Sequence, residues 1–198
     1  LTMSDNPTQY LAAMEEFARH AGGILMQHFR QLSGVEKKGE IDLVTVADHA
    51  SEEYLVSEIL KRCPDHAVLA EEGGKKGKED SDFLWVIDPL DGTTNYAHGL
   101  RIFAVSIALQ HKGETIAGVV YAPGMDEIYT AARGAGARRG PDPIHVSDRS
   151  DLKECLLVTG FPYDRVKHAT TLVGMMKEAI SCSRGILRLG AAAYDFCL

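Results

Sequence analysis

The chain has 198 residues, of which 45% are hydrophobic and 25% are charged, and these proportions are typical of an ordinary soluble globular protein. Its formal net charge of -7 argues against non-specific nucleic-acid binding, because no basic stripe offsets it. No run of 18 apolar residues occurs, so no membrane span is predicted. The four cysteines are widely separated and predict reduced thiols in a cytoplasmic protein.

The first predicted element is a long amphipathic helix. Asn6-Pro7 has the sequence of a helix start, with Asn at the N-cap and Pro at the first helical position. Apolar residues then recur at steps of three and four until about Leu32, which is the period of a helix with one buried face. These residues are Tyr10, Leu11, Met14, Phe17, Ala21, Leu25 and Phe29. The glycines Gly22 and Gly23 weaken the middle of this helix, and close packing is one reason for glycine there.

A polar loop and a second helix come next. The loop is predicted from Ser33 to Glu40 and the helix from Val44 to Cys63, which Pro64 closes. Asp48 lies in the first turn of this predicted helix, where an aspartate is usually a cap or a partner of the helix dipole. From the residues alone, that structural role is favoured.

A pair of carboxylates follows a short strand. The strand is predicted at Ala67 to Ala70, and its end delivers Glu71 and Glu72. A Glu pair before a Gly-rich loop is ordinarily a solvated turn. Strand ends are also the places where rigid scaffolds present ligands, so both interpretations stay open here.

The stretch from Asp88 to Asn95 is the main candidate for a functional site. It follows the apolar run Phe83 to Ile87, which has the composition of a buried strand. Asp88 and Asp91 can converge on one point across the turn, where their oxygens suit a hard cation such as Mg²⁺. The free N–H groups of Gly92 to Thr94 can bind an anion if a helix starts there. A surface turn is the alternative, but carboxylates beside free amides favour a phosphate-ester site.

The next part of the chain predicts an antiparallel sheet. Four β-rich runs follow one another without an intervening helix: Phe103 to Gln110, Thr115 to Ala122, Glu127 to Ala132 and Ile144 to Val146. Hairpin signals separate the first two, and strands in direct succession pair in antiparallel fashion.

The last part of the chain is predicted to alternate between strand and helix. The predicted elements are a strand at Leu156 to Thr159, a helix from about Arg165 to Ile180, a strand at Ile186 to Leu189 and a helix that begins at Gly190. The chain therefore divides into an N-terminal α+β half, residues 1–150, and the start of a C-terminal α/β half, residues 151–198.

These motifs together resemble those of a known family. Trp85 to Asn95 closely resembles the signature of the inositol monophosphatase family, which belongs to the superfamily of Mg²⁺-dependent, lithium-sensitive sugar phosphatases. The resemblance extends to Asp42 to Asp48, Ala70 to Glu72, Ala104 to Ile107, Gly118 to Tyr121 and Arg188 to Ala192. It implies an α+β sugar-phosphatase fold with a layered α/β/α/β/α architecture, and it covers nearly the whole chain.

The resemblance implies a set of metal ligands. The first Mg²⁺ would be held by Glu71, Asp88, the Leu90 carbonyl and Thr93. The second would be shared by Asp88 and Asp91. The complete protein would bind two or three ions in each active site.

The resemblance also implies roles in phosphate binding and catalysis. Gly92, Thr93 and Thr94 would bind the substrate phosphate. Thr93 would act with Asp48 to polarise the attacking water, and Glu71 would complete the catalytic set. Water would attack phosphorus directly, since no nucleophilic Cys or Ser arrangement is evident.

The favoured activity is hydrolysis of inositol monophosphate or a similar sugar phosphate, by a protein that the family resemblance implies to be a homodimer. Histidinol-phosphate or fructose-1,6-bisphosphate phosphatase is an alternative, although Thr94 to Tyr96 favours the inositol-type branch. A non-catalytic regulatory protein that keeps the fold is a second alternative, as some bacterial members interact with the transcription machinery. Lys37, in a loop that lies over the metal site in the family, is a further phosphate-side candidate.

One departure from the family concerns the C-terminal part. The family carries a third aspartate on a downstream Trp-Asp motif, whereas this sequence ends at Leu198, so we expect it to be incomplete. We therefore expect a weak second Mg²⁺ site, because only Asp88 and Asp91 supply carboxylates to it. We also expect exposed apolar surface where the missing segment would pack. Asp195 is expected to have a capping or surface role rather than to replace the third aspartate.

Overall fold

The computed structural model describes residues 6–32, 37–71, 73–162 and 164–198. Five α-helices occur in this part of the chain: α1 Thr8–Leu32, α2 Lys37–Arg62, α3 Thr93–Ala97, α4 Ala169–Cys182 and α5 Ala192–Asp195. Among the same described residues, one 3-10 turn lies at Leu152–Glu154. None of the described helices is long and apolar enough to cross a membrane.

Ten strands are formed by the described residues. They are β1 Ala67–Ala70, β2 Gly74–Gly77, β3 Phe83–Asp91, β4 Ala104–His111, β5 Glu114–Ala122, β6 Glu127–Ala132, β7 Gly136–Arg139, β8 Asp142–Ile144, β9 Leu156–Val158 and β10 Gly185–Leu187. The first eight form one sheet in the order β2-β1-β3-β4-β5-β6-β7-β8. Its pairs are antiparallel except for β1 and β3, which are parallel. The predicted antiparallel sheet is confirmed.

The sheet packs one face against α1 and α2, as the apolar period of α1 predicts. Five of the seven predicted core residues of α1 have no exposed surface: Tyr10, Met14, Phe17, Ala21 and Leu25. They meet Trp85, Ile107 and Leu109 of the sheet in one apolar cluster. Each large side chain buried in this way contributes about 1.5–3 kcal/mol to folding. The strand that carries the candidate site, β3, is therefore fixed on one face by the main core.

Helix boundaries are mostly close to the predicted ones, with one error. Asn6 Oδ1 accepts the backbone N–H of Thr8 at 3.2 Å, so the predicted N-terminal start is confirmed. The second helix, however, begins at Lys37 rather than Val44, so the predicted loop is wrong at residues 37–40. Residues 33–36 and the Lys37 side chain lie outside what the structure describes. Asp48 consequently lies well inside α2 instead of in its first turn.

Two strand predictions also change. Gly74–Gly77, predicted as part of a solvated Gly-rich loop, is strand β2 and pairs with β1. Strand β3 does not end at Ile87 but continues to Asp91, with an irregularity in its pairing with β4 between Asp88 and Asp91. A β-bulge redirects side chains at the end of a strand, so this irregularity affects the candidate site directly.

The C-terminal part divides between two environments. Strands β9 and β10 form a separate parallel pair, and α4 carries no buried side chain. Helix α5, by contrast, packs on the main sheet, where Ala191 and Tyr194 join a small apolar cluster with Ala104, Ala122 and Tyr129. The domain boundary near residue 150 stays a prediction.

The glycine pair of α1 provides a test of this packing. A Cβ on Gly22 would lie 2.7 Å from two ring atoms of Tyr121, whereas a Cβ on Gly23 would meet no atom within 4 Å. We expect Gly22→Ala to destabilise the protein by about 1–3 kcal/mol, because the helix would be pushed away from β5. Chemical denaturation measures the change.

Gly23→Ala is the matched control. It adds the same methyl group on the exposed side of the same turn and should stabilise the protein by about 0.5–1 kcal/mol through helix propensity. Equal effects of the two substitutions would show that contact with Tyr121 does not explain Gly22.

Candidate active site

The end of β3 brings two carboxylates to one edge of the sheet. Asp88 and Asp91 lie on either side of Pro89 and Leu90, where the pairing of β3 with β4 is irregular. The Leu90 N–H donates to Asp88 Oδ1 at 3.1 Å, which fixes the Asp88 side chain across the turn. The chain therefore holds the first aspartate of the motif by a local hydrogen bond.

The charges of three other carboxylates act on the carboxylate of Asp88. Burial, together with the charges of Asp91, Glu71 and Asp48, raises the pKa of Asp88 to about 7, while the Leu90 N–H opposes the shift. Glu71 is exposed in the turn directly after β1, as predicted, and Glu72 lies outside the described residues. We call Asp48, Glu71, Asp88 and Asp91 the acidic cluster. Three separate parts of the chain supply it, as the motifs predict.

The acidic cluster suits a hard divalent cation by its chemistry. Its donors are carboxylate oxygens, with the Leu90 carbonyl and the Thr93 hydroxyl beside them, and such oxygens are the ligands of Mg²⁺. Burial and the charges of the neighbouring carboxylates raise the pKa of Asp88, and a bound cation would offset both. Across residues 6–198, apart from the undescribed positions, no three His, Cys, Asp or Glu side chains stand close enough to form a ready ligand set.

Gly92 turns the chain from β3 into α3. Its φ of 88° is left-handed, and an added Cβ would lie 3.0 Å from the Ile102 carbonyl oxygen and 3.1 Å from Ala191 Cβ. Only glycine fits this position without strain. Helix α3 starts at the next residue, Thr93, so the condition set for anion binding by the motif, a helix start at these N–H groups, is met. The Thr93 hydroxyl donates to the Leu90 carbonyl at 3.1 Å.

Asp91 is held by a segment far away in the sequence. The N–H of Ala192 donates to Asp91 Oδ1 at 3.1 Å, and the N–H of Ala193 donates to Oδ2 at 2.7 Å. Burial raises the pKa of the Asp91 carboxyl, and these two N–H groups act against the increase. Asp91 is thus the acceptor for the first turn of α5. No pattern in the sequence indicates this contact, because the partners are main-chain atoms.

Asn95 connects the same two parts of the chain. Its side-chain amide donates to the carbonyls of Ile102 and Leu189, both at 2.7 Å, and only 5% of the residue is exposed. Gly190 follows Leu189 with a φ of 89°, and an added Cβ would lie 3.1 Å from both Asn95 amide atoms. The sequence includes Asn95 in the motif but does not reveal this partner.

Asp195 has a different environment from the expected one. It is the last residue of α5, which begins at Ala192, so the expected capping role is wrong. Its Oδ1 atom is buried without a hydrogen-bond partner in the described part of the chain. Burial and the charge of Asp91 raise the pKa of Asp195, and Arg188 lowers it. Asp195 therefore lies beside the acidic cluster.

Two buried hydroxyls support the motif: that of Ser51, which the sequence did not single out, and that of Tyr96, whose bonding role the sequence did not reveal. The Ser51 hydroxyl of α2 donates to the Pro89 carbonyl at 3.2 Å, and the Tyr96 hydroxyl of α3 donates to the Leu25 carbonyl at 2.7 Å. Both are buried. They join the turn and its short helix to α2 and α1, so that the site moves with the main core.

Comparison with known proteins connects this geometry to one family. The sequence model of the inositol monophosphatase family matches residues 6–198. The Nus factor SuhB of Pasteurella multocida is 41% identical over 182 residues, which are 91% of this chain and 68% of that protein. The inositol-1-monophosphatase of a Synechocystis species is 41% identical over 187 residues, 94% of this chain and 65% of that protein.

A solved structure supports the same relationship. The inositol monophosphatase from Anabaena (Nostoc) sp. PCC 7120 superposes with a TM-score of 0.84 and 40% identity, over 96% of this chain and 70% of that chain. The resemblance seen in the motifs is confirmed, and so is the layered α+β sugar-phosphatase fold. The chain spans about two thirds of the length of these relatives.

The repulsion in the acidic cluster makes a testable contribution to stability. The folded chain keeps a proton on Asp88 up to a pH of about 7, whereas the unfolded chain loses it near 3.8. The folded state therefore binds more protons between these values, and stability is lost as the pH rises, by about 1.4 kcal/mol for each unit of pKa difference. We expect Asp88→Asn to be more stable than the parent chain at pH 7.5 in chelator-treated buffer, and the advantage to vanish near pH 4.

Urea denaturation of the two proteins across this pH range measures the difference. Asp82→Asn is the control, since Asp82 precedes the same strand but is exposed. A variant Asp88→Asn that is no more stable than the parent chain at pH 7.5 would show that the buried Asp88 charge and its neighbours do not destabilise the fold.

Proposed function

This chain belongs to the inositol monophosphatase family, and on that basis we propose that it is a Mg²⁺-dependent phosphatase of inositol monophosphate or a similar sugar phosphate. The observation that carries the proposal is the burial of Asp88 at the end of β3, next to Asp91 and within reach of the charges of Glu71 and Asp48. Carboxylates placed close together repel one another, and this repulsion lowers the stability of the folded chain unless a cation or a proton is shared among them. The site is thus suited to metal-assisted phosphate chemistry.

We assign the metal ligands as the motif suggests. Glu71, Asp88, the Leu90 carbonyl and Thr93 would hold one Mg²⁺, and Asp88 with Asp91 would hold a second. Bound Mg²⁺ supplies charge neutralisation for the phosphate oxygens and for the leaving oxygen. Asp88 is common to both positions, so the hydrogen bond from Leu90 that orients it supports both.

The substrate phosphate would lie at the start of α3. Gly92, Thr93 and Thr94 follow the carboxylates directly, and Thr93 and Thr94 are exposed. Backbone N–H groups at a helix start favour negative charge. The positive φ of Gly92 allows the chain to turn between Asp91 and these groups. Metal ligands and phosphate ligands therefore come from one continuous stretch.

Thr93 and Asp48 are proposed to prepare the attacking water. The Thr93 hydroxyl donates to the Leu90 carbonyl in this structure, and its lone pairs can accept a hydrogen bond from water. Asp48 lies near enough to raise the pKa values of Asp88 and Tyr96 through its charge. A relay to Asp48 would require the hydroxyl to turn and donate to the Asp48 carboxylate instead. In that arrangement Asp48 would take the Thr93 hydroxyl proton as Thr93 takes one from water, which is general-base catalysis.

The relatives leave a choice of substrate and of role. A histidinol-phosphate or fructose-1,6-bisphosphate substrate would use the same acidic cluster. Relatives named Nus factor SuhB favour a second candidate, a regulatory protein with a protein partner. The retained carboxylates Glu71, Asp88 and Asp91 support catalysis over that alternative. A homodimer and a cytoplasmic location are further proposals from the family.

Removal of one charge tests the function. We expect Asp88→Asn to lose at least a hundredfold of its Mg²⁺-dependent phosphate release, because both proposed cation positions use Asp88. Phosphate release is measured over a panel of sugar phosphates, with and without Mg²⁺. Asp82→Asn should keep full activity. A parent chain that releases phosphate equally well in chelator, or an active Asp88→Asn variant at saturating Mg²⁺, would refute the proposal.

Inhibition by lithium is a second test. A position built from Asp88 and Asp91 oxygens suits a small hard cation, and the family resemblance implies sensitivity to lithium. We expect Li⁺ to reduce phosphate release at fixed Mg²⁺, whereas the same concentration of Na⁺ does not. Equal responses to the two salts would argue against the proposed second cation position.

A further inference from the structure

Asp91 depends on atoms that belong to another part of the chain. Both carboxylate oxygens accept main-chain N–H groups, from Ala192 and Ala193, which lie 101 and 102 residues further along the chain. These bonds fix the plane of the carboxylate. Whatever holds residues 189–193 in place therefore sets the direction of the lone pairs that Asp91 has left.

The side chain of Asn95 provides such a connection. One amide nitrogen donates to two carbonyls, that of Ile102 and that of Leu189, at 2.7 Å each. Asn95 lies in α3, one turn after Asp91, and Leu189 lies three residues before Ala192. The amide is buried, so a lost bond could not be replaced freely by water.

Gly190 strengthens the same connection by its lack of a side chain. Its Cα approaches Asn95 so closely that a Cβ would lie 3.1 Å from both amide atoms. On the other side of the turn, a Cβ on Gly92 would lie 3.1 Å from Ala191 Cβ. Gly92 and Gly190, both with positive φ, thus allow the turn after β3 and residues 189–193 to lie against each other, with Asn95 between them.

We propose that Asn95 is a positioning residue, whose amide holds residues 189–193 against the turn after β3 so that the N–H groups of Ala192 and Ala193 orient Asp91 toward its ligand. The inference rests on the proposed function, since it assigns the reason for that orientation to cation binding. Asn95 itself contacts neither the cation nor the substrate. Its effect passes through two main-chain N–H groups.

Release of this connection should affect the site more than the fold. The far end of α5 is held separately, because the Tyr194 hydroxyl donates to Glu127 Oε2 at 2.9 Å. Loss of Asn95 would free residues 189–193 while Tyr194 remains attached. Asp91 would then rotate and lose N–H partners, and the cation would have to order it on binding.

The experiment compares two variants of the 198-residue chain. Asn95→Ala removes the connection, and Tyr121→Phe, the control, removes a side-chain hydrogen bond of strand β5, the one from Tyr121 to Asp126. Mg²⁺ alone is titrated by calorimetry. Amide hydrogen exchange is measured by mass spectrometry on peptides that cover residues 189–195.

We expect Asn95→Ala to bind Mg²⁺ about tenfold more weakly and to exchange faster at residues 189–195. Tyr121→Phe should match the parent chain in both measurements. Gly190→Ala places a Cβ against the Asn95 amide and should reproduce the Asn95→Ala result. If the Asn95→Ala variant does not fold, Gly190→Ala takes its place in the experiment.

Two results would overturn the inference. Unchanged exchange in Asn95→Ala would show that Asn95 does not hold the segment. Faster exchange with unchanged Mg²⁺ affinity would show that the segment does not orient Asp91. A parent chain that binds no Mg²⁺ would refute the proposed function and the cation part of this inference. The exchange result would then still show whether Asn95 holds residues 189–195.

Discussion

The structure depends on the burial of like charges at the end of one strand. Asp88 and Asp91 lie together on the irregular end of β3, and burial with neighbouring carboxylates raises the pKa of Asp88 to about 7. Such an arrangement opposes folding, so the rest of the protein has to hold it in place. It does so with main-chain N–H groups, from Leu90 for Asp88 and from Ala192 and Ala193 for Asp91. Fixed dipoles of this kind stabilise negative charge without neutralising it, and the cluster keeps its capacity to bind a cation.

The core explains why the cluster can be held at all. Strand β3 lies between β1 and β4, and its residue Trp85 is fully buried among the aromatic side chains of α1. The turn beyond β3 is attached to the helices by Ser51 and Tyr96. Strain at a functional site persists only where the surrounding structure over-determines it. Here a large apolar cluster on one side of the sheet stabilises a turn whose own charges repel.

Local patterns predicted most of the fold, and contacts between distant main-chain atoms account for most of what they missed. The period of α1 and the hairpin signals of β4 and β5 are local, and both are confirmed. The start of α2 was placed seven residues too late, because Gly39 and the charged residues around it have the composition of a loop. Strand β2 is similar: Gly74–Gly77 has no apolar pattern and is a strand only because β1 pairs with it. For the candidate site, the motif supplied the side chains, but it could not show that Asp91 accepts N–H groups from α5.

The two attachments of the C-terminal segment have different consequences for the site. Glu127 Oε2 accepts the hydroxyls of Tyr129 and Tyr194, each at 2.9 Å, and Glu127 also pairs with Arg139, so the end of α5 is fixed to the sheet by a charged hydrogen-bond network. The start of the segment is fixed by the Asn95 amide, which is neutral. Asp91 accepts its two N–H groups between these points. The Asn95 attachment therefore holds the start of the segment beside Asp91 without adding a charge of its own to the acidic cluster. A positive side chain in place of Asn95 would hold Leu189 equally well, but it would compete with a cation for Asp91, and a negative one would add to the repulsion that already raises the pKa of Asp88.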